Sequence, residues 1–227
     1  MQKSDFLRPV FWLWIPIAVF VAQVFLEIFL PQEVVAPLLT ENGPHETLQF
    51  LCMAGAFVVA LLILKQIDWT RQKFLGLWTG LAAVCCFYVA GEEASWGQHF
   101  LSWSTPEFWS QINDQNETNL HNTSGWLDQK PRLLLQIGIL TGGIILPLLR
   151  RFKPDVLPPK FSVIYPPDIL SVTALMALTV NIIDRIDSRL KDMVLFERAS
   201  EVEELYLFYF VLLYLVILLH RVRDKTL

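Results

Sequence analysis

The sequence predicts an all-α fold: a polytopic membrane bundle of about six transmembrane helices, with a long aromatic-rich loop between the third and fourth. Three observations predict it. Of 227 residues, 54% are hydrophobic and only 18% are charged, against roughly 25% charged in soluble domains. The mean hydropathy is +0.44. Apolar runs of about 20 residues, the length that crosses a hydrocarbon core of roughly 30 Å, recur along the chain.

The first run, about residues 10–30, follows Lys3 and Arg8 and so resembles a signal peptide. It is longer than a signal core. Leu30-Pro31-Gln32-Glu33 follows it, not a small-x-small cleavage site, so it reads as a retained span. The second, 46–64, is introduced by Gly43-Pro44. The third, 74–91, runs into Gly91-Glu92-Glu93. The fourth, 133–149, contains Gly142-Gly143 and Pro147. The fifth, 169–184, is diluted by Thr173, Thr179 and Asn181, residue types common where membrane helices touch. The sixth, 205–220, is plainly apolar. Together they make residues 1–227 a single integral membrane domain. Cys52, Cys85 and Cys86 lie within apolar runs, so no disulfide framework is implied. A net charge of −4 and the lack of a basic patch interleaved with aromatics exclude a nucleic-acid partner.

Orientation follows from Lys and Arg in the loops. With the N-terminus inside, twelve of the eighteen fall on inner segments and six on outer ones. Both termini are therefore expected in the cytoplasm. Sixteen of the twenty-two acids then fall outside. The positive-inside rule accounts for that number. It does not account for acids at the ends of apolar helices, where ionisable groups are costly and often functional.

Four clusters are expected at this outer face. Glu41-Asn42-Gly43-Pro44-His45-Glu46 opens the second span, and Gly91-Glu92-Glu93-Ala94-Ser95-Trp96-Gly97-Gln98-His99 closes the third. Glu117-Thr118-Asn119-Leu120-His121-Asn122 lies in the long loop. Glu197, Glu201, Glu203 and Glu204 enter the sixth span. If the third helix continues outward, Glu92, Trp96 and His99 share one face. On a short helix Glu117 and His121 would be neighbours. Glu197, Glu201 and Glu204 make a third stripe.

Simple helix capping competes for Glu41 and Glu46, and for Glu197 to Glu204 with Arg198 as a surface partner, because acids favour helix N-termini. It does not serve Glu92-Glu93, two adjacent carboxylates at a C-terminus, which need a cation, a shared proton or a nearby Arg. Glu27 falls near the outer end of the first span and is assigned no task. The loop of about 92–132 carries Trp96, Phe100, Trp103, Phe108, Trp109 and Trp126. Such a loop suits the headgroup level as a short interfacial helix roofing the clusters, or as a simple anchor. Thr105-Pro106-Glu107 reads as a helix start with Thr105 as cap.

The blocks Glu92–His99, Thr105–Glu107 and Asn116–Asn122 resemble those of a family of uncharacterised bacterial multi-pass membrane proteins. Its members carry E-E-x-S-W-G-Q, T-P-E and E-T-N-L-H-N in this order. Glu41–Glu46 is similar to an E-D-G-x-x-E stretch of the same proteins, so the likeness covers roughly residues 40–125. His99 departs from the pattern, which has a basic residue there, often Arg. The resemblance implies the membrane class and a bacterial envelope location, and no particular activity.

Familiar catalytic signatures are missing: no H-E-x-x-H, G-x-S-x-G, P-loop or di-iron E-x-x-H pair occurs. Three readings remain. In the first, an enzyme of the bacterial inner membrane acts on a membrane lipid or lipid-linked substrate. Its catalytic residues are Glu92, Glu93, Glu117 and His121. Glu92, Glu117 and His121 are also candidate ligands for a divalent metal. Glu41, Glu46, Trp96, Gln98, His99, Asn119, Asn122, Glu201 and Glu204 support substrate or structure. In the second, the acids form the site of a cation-coupled transporter, with Gln49, Thr173, Thr179 and Asn181 as deeper polar groups. In the third, the clusters lock a non-catalytic assembly or partner protein together. Enzyme and assembly separate on one point. A site leaves an open cavity beside its carboxylates, whereas a structural network is fully satisfied.

Overall fold

In the computed structural model, residues 7–38, 43–113, 116–190, 196 and 198–224 are described. Among them there is no strand, and six helices are long and apolar enough to cross a membrane. They are α1 (Val10–Phe29), α2 (Pro44–Leu64), α3 (Lys73–Glu93), α4 (Gln129–Phe152), α5 (Asp168–Asp187) and α6 (Ala199–Arg223). The chain is an all-α bundle with the character of a multi-pass membrane protein. Each predicted span lies within or beside one of these helices. The differences are at the ends. Apolar runs mark where hydrocarbon can be crossed, but a helix continues until its backbone hydrogen bonds find another partner.

α6 is the core. Two-thirds of its apolar window (67%) is buried, against 11% for α1. Val202, Leu215 and Leu218 are fully enclosed. α2 and α5 pack along α6, and α3 packs along α2 and reaches α6 where the Trp78 indole donates to the Tyr214 hydroxyl at 2.9 Å. The fourth helix shows why small residues sit in its middle. Thr141–Ile145 is wound as one wide π-type turn, and Gly142 and Gly143 are buried there. A side chain at Gly143 would stand 2.4 Å from the Ala174 methyl and 2.9 Å from the Phe210 ring. That glycine lets α4, α5 and α6 meet closely.

Tyrosines and arginines bind the helices together by their backbones. Tyr206 donates to the Pro16 carbonyl at 2.9 Å and Tyr209 to that of Phe11 at 2.7 Å, which fastens α1 to α6. At the end of the bundle holding the C-terminus of α6, Arg221 donates to the carbonyls of Val163 and Tyr165, and Tyr214 to that of Ile164. These bonds strap the proline-rich segment before α5 against the bundle. At the opposite end α2 and α6 begin and α3 finishes, so their acidic termini converge.

Candidate functional site

The site begins with a sharp reversal. α3 ends at Glu93, and Ser95, Trp96 and Gly97 all take positive φ (44°, 54° and 104°). Consecutive non-glycine residues in the left-handed region cost on the order of 1–3 kcal/mol each. Side-chain bonds hold them there. Trp96 folds back over the last turn of α3 and donates its indole N–H to Glu92 Oε1 at 2.8 Å. Its ring lies so close to Gly91 that a Cβ there would sit 2.9 Å from it. The expected outward continuation of α3 therefore does not occur. Trp96 still meets Glu92, through the turn, but His99 is carried away from that face.

His99 instead meets Glu117, its Nε2 donating to Oε1 at 2.7 Å. Glu117 is the hub of a buried network. Its Oε2 accepts from Ser95 Oγ at 2.7 Å, from Asn119 Nδ2 at 2.6 Å and from Asn122 Nδ2 at 3.4 Å. Asn119 Nδ2 also reaches Ser95 Oγ at 3.0 Å. Asn113 Nδ2 donates to the Asn119 Oδ1 and carbonyl oxygens, and Asn113 Oδ1 receives the Glu117 backbone N–H. Glu92 joins from the helix side, its Oε2 accepting the Leu120 backbone N–H at 2.7 Å. The first of the paired carboxylates is thus compensated by hydrogen bonds.

Gln98 binds the rest of the roof. Its Oε1 accepts the Thr118 backbone N–H at 2.8 Å, and its Nε2 donates to Thr105 Oγ1 at 2.9 Å. Thr105 is no helix cap. The next short helix, Glu107–Ile112, starts without a side-chain cap bond, and the Thr105 hydroxyl donates to the Asn116 carbonyl instead. The short helix that would join Glu117 to His121 is also not formed. The backbone between them is irregular until the turn His121–Thr123. The His121 side chain lies outside the described residues, as do Glu41 and Glu197. Phe100, Phe108 and Trp126, each at least 63% exposed, project from this loop.

Beneath the roof lies a cavity of about 220 Å³. Glu46 from the first turn of α2, Glu92 and Glu93 from the last turn of α3, and Glu201 and Glu204 from the first turns of α6 line it. His99, Glu117, Asn119 and Asn122 close one side. Sequence reasoning missed Arg132 and Ser200 and treated Arg198 only as a surface partner. Arg132 pairs with Glu204 at 3.2 Å and Arg198 with Glu201 at 3.4 Å, and both arginines line the cavity. An arginine opening an apolar helix is the signal for Arg132, since a cation at membrane depth is costly without a partner.

Gln49, one turn below Glu46 and fully buried, donates to the Glu201 carbonyl at 2.9 Å and leaves its own Oε1 without a partner. Glu93 differs from every other carboxylate around the cavity. Among the described residues no donor or cation pairs with it, and the charges acting on it come from Glu204, Glu201, Glu46 and Glu92.

Chemically the site divides in two. Around Glu92 and Glu117 the network is satisfied. Around Glu93 the cavity is acidic and open. Of the expected metal ligands, Glu92 and Glu117 are described, and the His121 side chain lies outside the described residues. Both Glu92 oxygens and both Glu117 oxygens already accept hydrogen bonds. Among the described residues no group of three His, Cys, Asp or Glu side chains could hold an ion.

A second polar chain lies beside the cavity. His45 Nε2 is 3.2 Å from Gln23 Oε1, and Gln23 Nε2 donates to Glu27 at 2.9 Å, which fastens α1 to the start of α2. Compared with protein-family models, with curated proteins and with solved structures, the chain matches none.

Proposed function

We propose that this is a multi-pass protein of the bacterial cytoplasmic membrane, with both termini inside, that acts on a lipid or lipid-linked substrate at its outer face. In this reading Glu93 is the group that transfers a proton, and the cavity beneath the loop receives the reacting head. One observation carries it: neighbouring carboxyls stand in opposed environments. Glu92 is committed to Trp96 and Leu120, while Glu93 faces the cavity with no donor among the described residues. A carboxyl that lines a cavity of about 220 Å³, with no donor among the described residues, suits general acid–base work. The Glu117 network then serves as the scaffold that holds the roof, and Arg132 and Arg198 orient charge on the substrate. The resemblance of Glu92–His99 and Asn116–Asn122 to the E-E-x-S-W-G-Q and E-T-N-L-H-N blocks accords with this location.

The test is conversion of envelope lipids. Purified full-length protein is incubated with a bacterial envelope lipid extract, and head-group species are followed by mass spectrometry. The expected result is a changed species with the wild type and a rate lower by roughly 10²–10⁴ in Glu93→Gln, at an unchanged melting temperature. No conversion by the wild type, or an equal rate in the variant, overturns the reading.

One observation favours a second reading, a non-catalytic assembly protein. The Glu117 network is complete, as a structural lock should be. In that case Glu93→Gln leaves every phenotype intact, and only variants of the network do damage.

A further inference from the structure

A second cavity, of about 340 Å³, opens on the side of the bundle between α4, α5 and α6. Its walls are apolar side chains of membrane-spanning helices, among them Ile137, Leu140, Leu178 and Ile182. Such a groove opens to hydrocarbon. Its floor is not apolar. Glu203 is 5% exposed and accepts from Gln136 Nε2 at 2.8 Å and from Asn181 Nδ2 at 3.1 Å.

The groove and the acidic cavity are adjacent. Glu203 lines the groove and Glu204 the cavity; Leu133 lines the groove and Arg132 the cavity. Consecutive helical residues point about 100° apart at nearly one height. The two spaces therefore flank the same contact of α4 with α6, at the same level. At that contact the Arg132–Glu204 ion pair, 3.2 Å long and with both side chains less than 20% exposed, joins α4 to α6.

From this geometry we infer that the ligand is a zwitterionic aminophospholipid that enters sideways, with one hydrocarbon chain in the groove and its head in the cavity. This rests on the lipid-substrate reading above and names the lipid class. The head brings a phosphate and an ammonium. Entry exchanges one ion pair for two: the phosphate takes Arg132, and the ammonium takes Glu204 and Glu93. No net charge is added to a site that already holds more carboxylates than arginines. An anionic head with no amine would take Arg132 and leave Glu204 unpaired beside Glu93, with no ammonium to offset the carboxylates, and like-charge juxtaposition is unfavourable. A neutral head could not part the Arg132–Glu204 pair.

The test uses the full chain in mild detergent, equilibrated with equimolar phosphatidylethanolamine, phosphatidylglycerol and diacylglycerol. Retained lipid is counted by native mass spectrometry. The expected result is phosphatidylethanolamine retained at least about tenfold over the other two. Ile137→Trp narrows the groove at a side chain that is 52% exposed, so it fills the chain path without touching the core. It should lower retention about tenfold. Glu93→Gln should remove the preference among lipids.

Equal retention of the three lipids, or wild-type retention in Ile137→Trp, overturns the inference. So does displacement by free ethanolamine at equal concentration, because the head alone would then suffice. Retention without conversion in the extract assay leaves this inference standing and removes the enzyme. Conversion that is indifferent to Ile137→Trp does the reverse.

Discussion

Glu117→Ala is the perturbation that best separates scaffold from site. The carboxylate is 7% exposed and takes three contacts of 2.7 Å or less, from His99, Ser95 and Asn119. Hydrogen bonds to a charged group contribute about 1.5–3 kcal/mol each, but the donors left behind recover part of that. Ser95 Oγ and Asn119 Nδ2 still have each other at 3.0 Å. His99 loses the acceptor on its Nε2. Breaking a buried pair by removing one partner costs roughly 3–5 kcal/mol, so we expect a loss of that size. For a chain of this length about 2–4 °C per kcal/mol follows, or roughly 10 °C in melting temperature. The assay is thermal unfolding in detergent, followed by tryptophan fluorescence, with Glu93→Gln in parallel. Glu93 has no hydrogen bond to lose among the described residues, so its variant should melt within about 2 °C of the wild type. A melt for Glu117→Ala within that same margin, or a Glu93→Gln as damaging as Glu117→Ala, refutes the division of the site into a satisfied half and an open half.

Three other predictions follow from separate features. Gly91→Ala should drive a methyl into the Trp96 ring and cost about 1–3 kcal/mol by overpacking. The same melting assay reads it, and a paired Trp96→Phe change, which removes the N–H bonded to Glu92, should add less in the double variant than alone. In the exposed turn between α2 and α3, hydrogen bonds from the Thr70 hydroxyl and N–H hold the Asp68 carboxyl below the ordinary carboxylate range. Its contribution is therefore present above the unfolded carboxyl's pKa and fades as pH falls through the lowered one. Carboxyl NMR titration should show Asp68 moving upward in Thr70→Ala. For orientation, a cysteine at Ser104 should react with an impermeant maleimide in intact cells, and one at Asp155 only after the membrane is opened. The reverse pattern would invert the proposed topology.

The six spans were legible because hydropathy is a local property. About twenty apolar residues in a row leave the chain few alternatives. The gathering of acids at one end was legible too, since alternating spans carry α2, α3 and α6 termini to the same side. What was hidden depended on direction. Glu92 and Glu93 are equivalent in composition and both line the cavity, yet a turn of about 100° lets only Glu92 accept from Trp96 and Leu120 of the roof. The reversal at Ser95–Gly97 defeated the expectation that Glu92, Trp96 and His99 share a helix face. Only Gly97 advertises a left-handed backbone; Ser95 and Trp96 are held in theirs by partners more than twenty residues or one helical turn away. The His99–Glu117 pairing spans 18 residues of sequence that include the short helix Glu107–Ile112, beyond any periodicity argument. Arg132 escaped because it was read as part of a loop when it belongs to the first turns of α4.

The order of the helices along the chain bears on how the protein is made. α6, the most enclosed of the six, follows the other five. During synthesis α2, α3 and α5 must wait in the bilayer with the faces that will meet it still uncovered. Gln49 has no Glu201 carbonyl to bind, and Asn181 no Glu203. Arrest before α6 leaves five spans without a centre. Such a chain is a natural client for insertion factors and for membrane proteases that recognise unpaired polar groups in lipid, so the half-life of chains truncated before Ala199 reports directly on that surveillance.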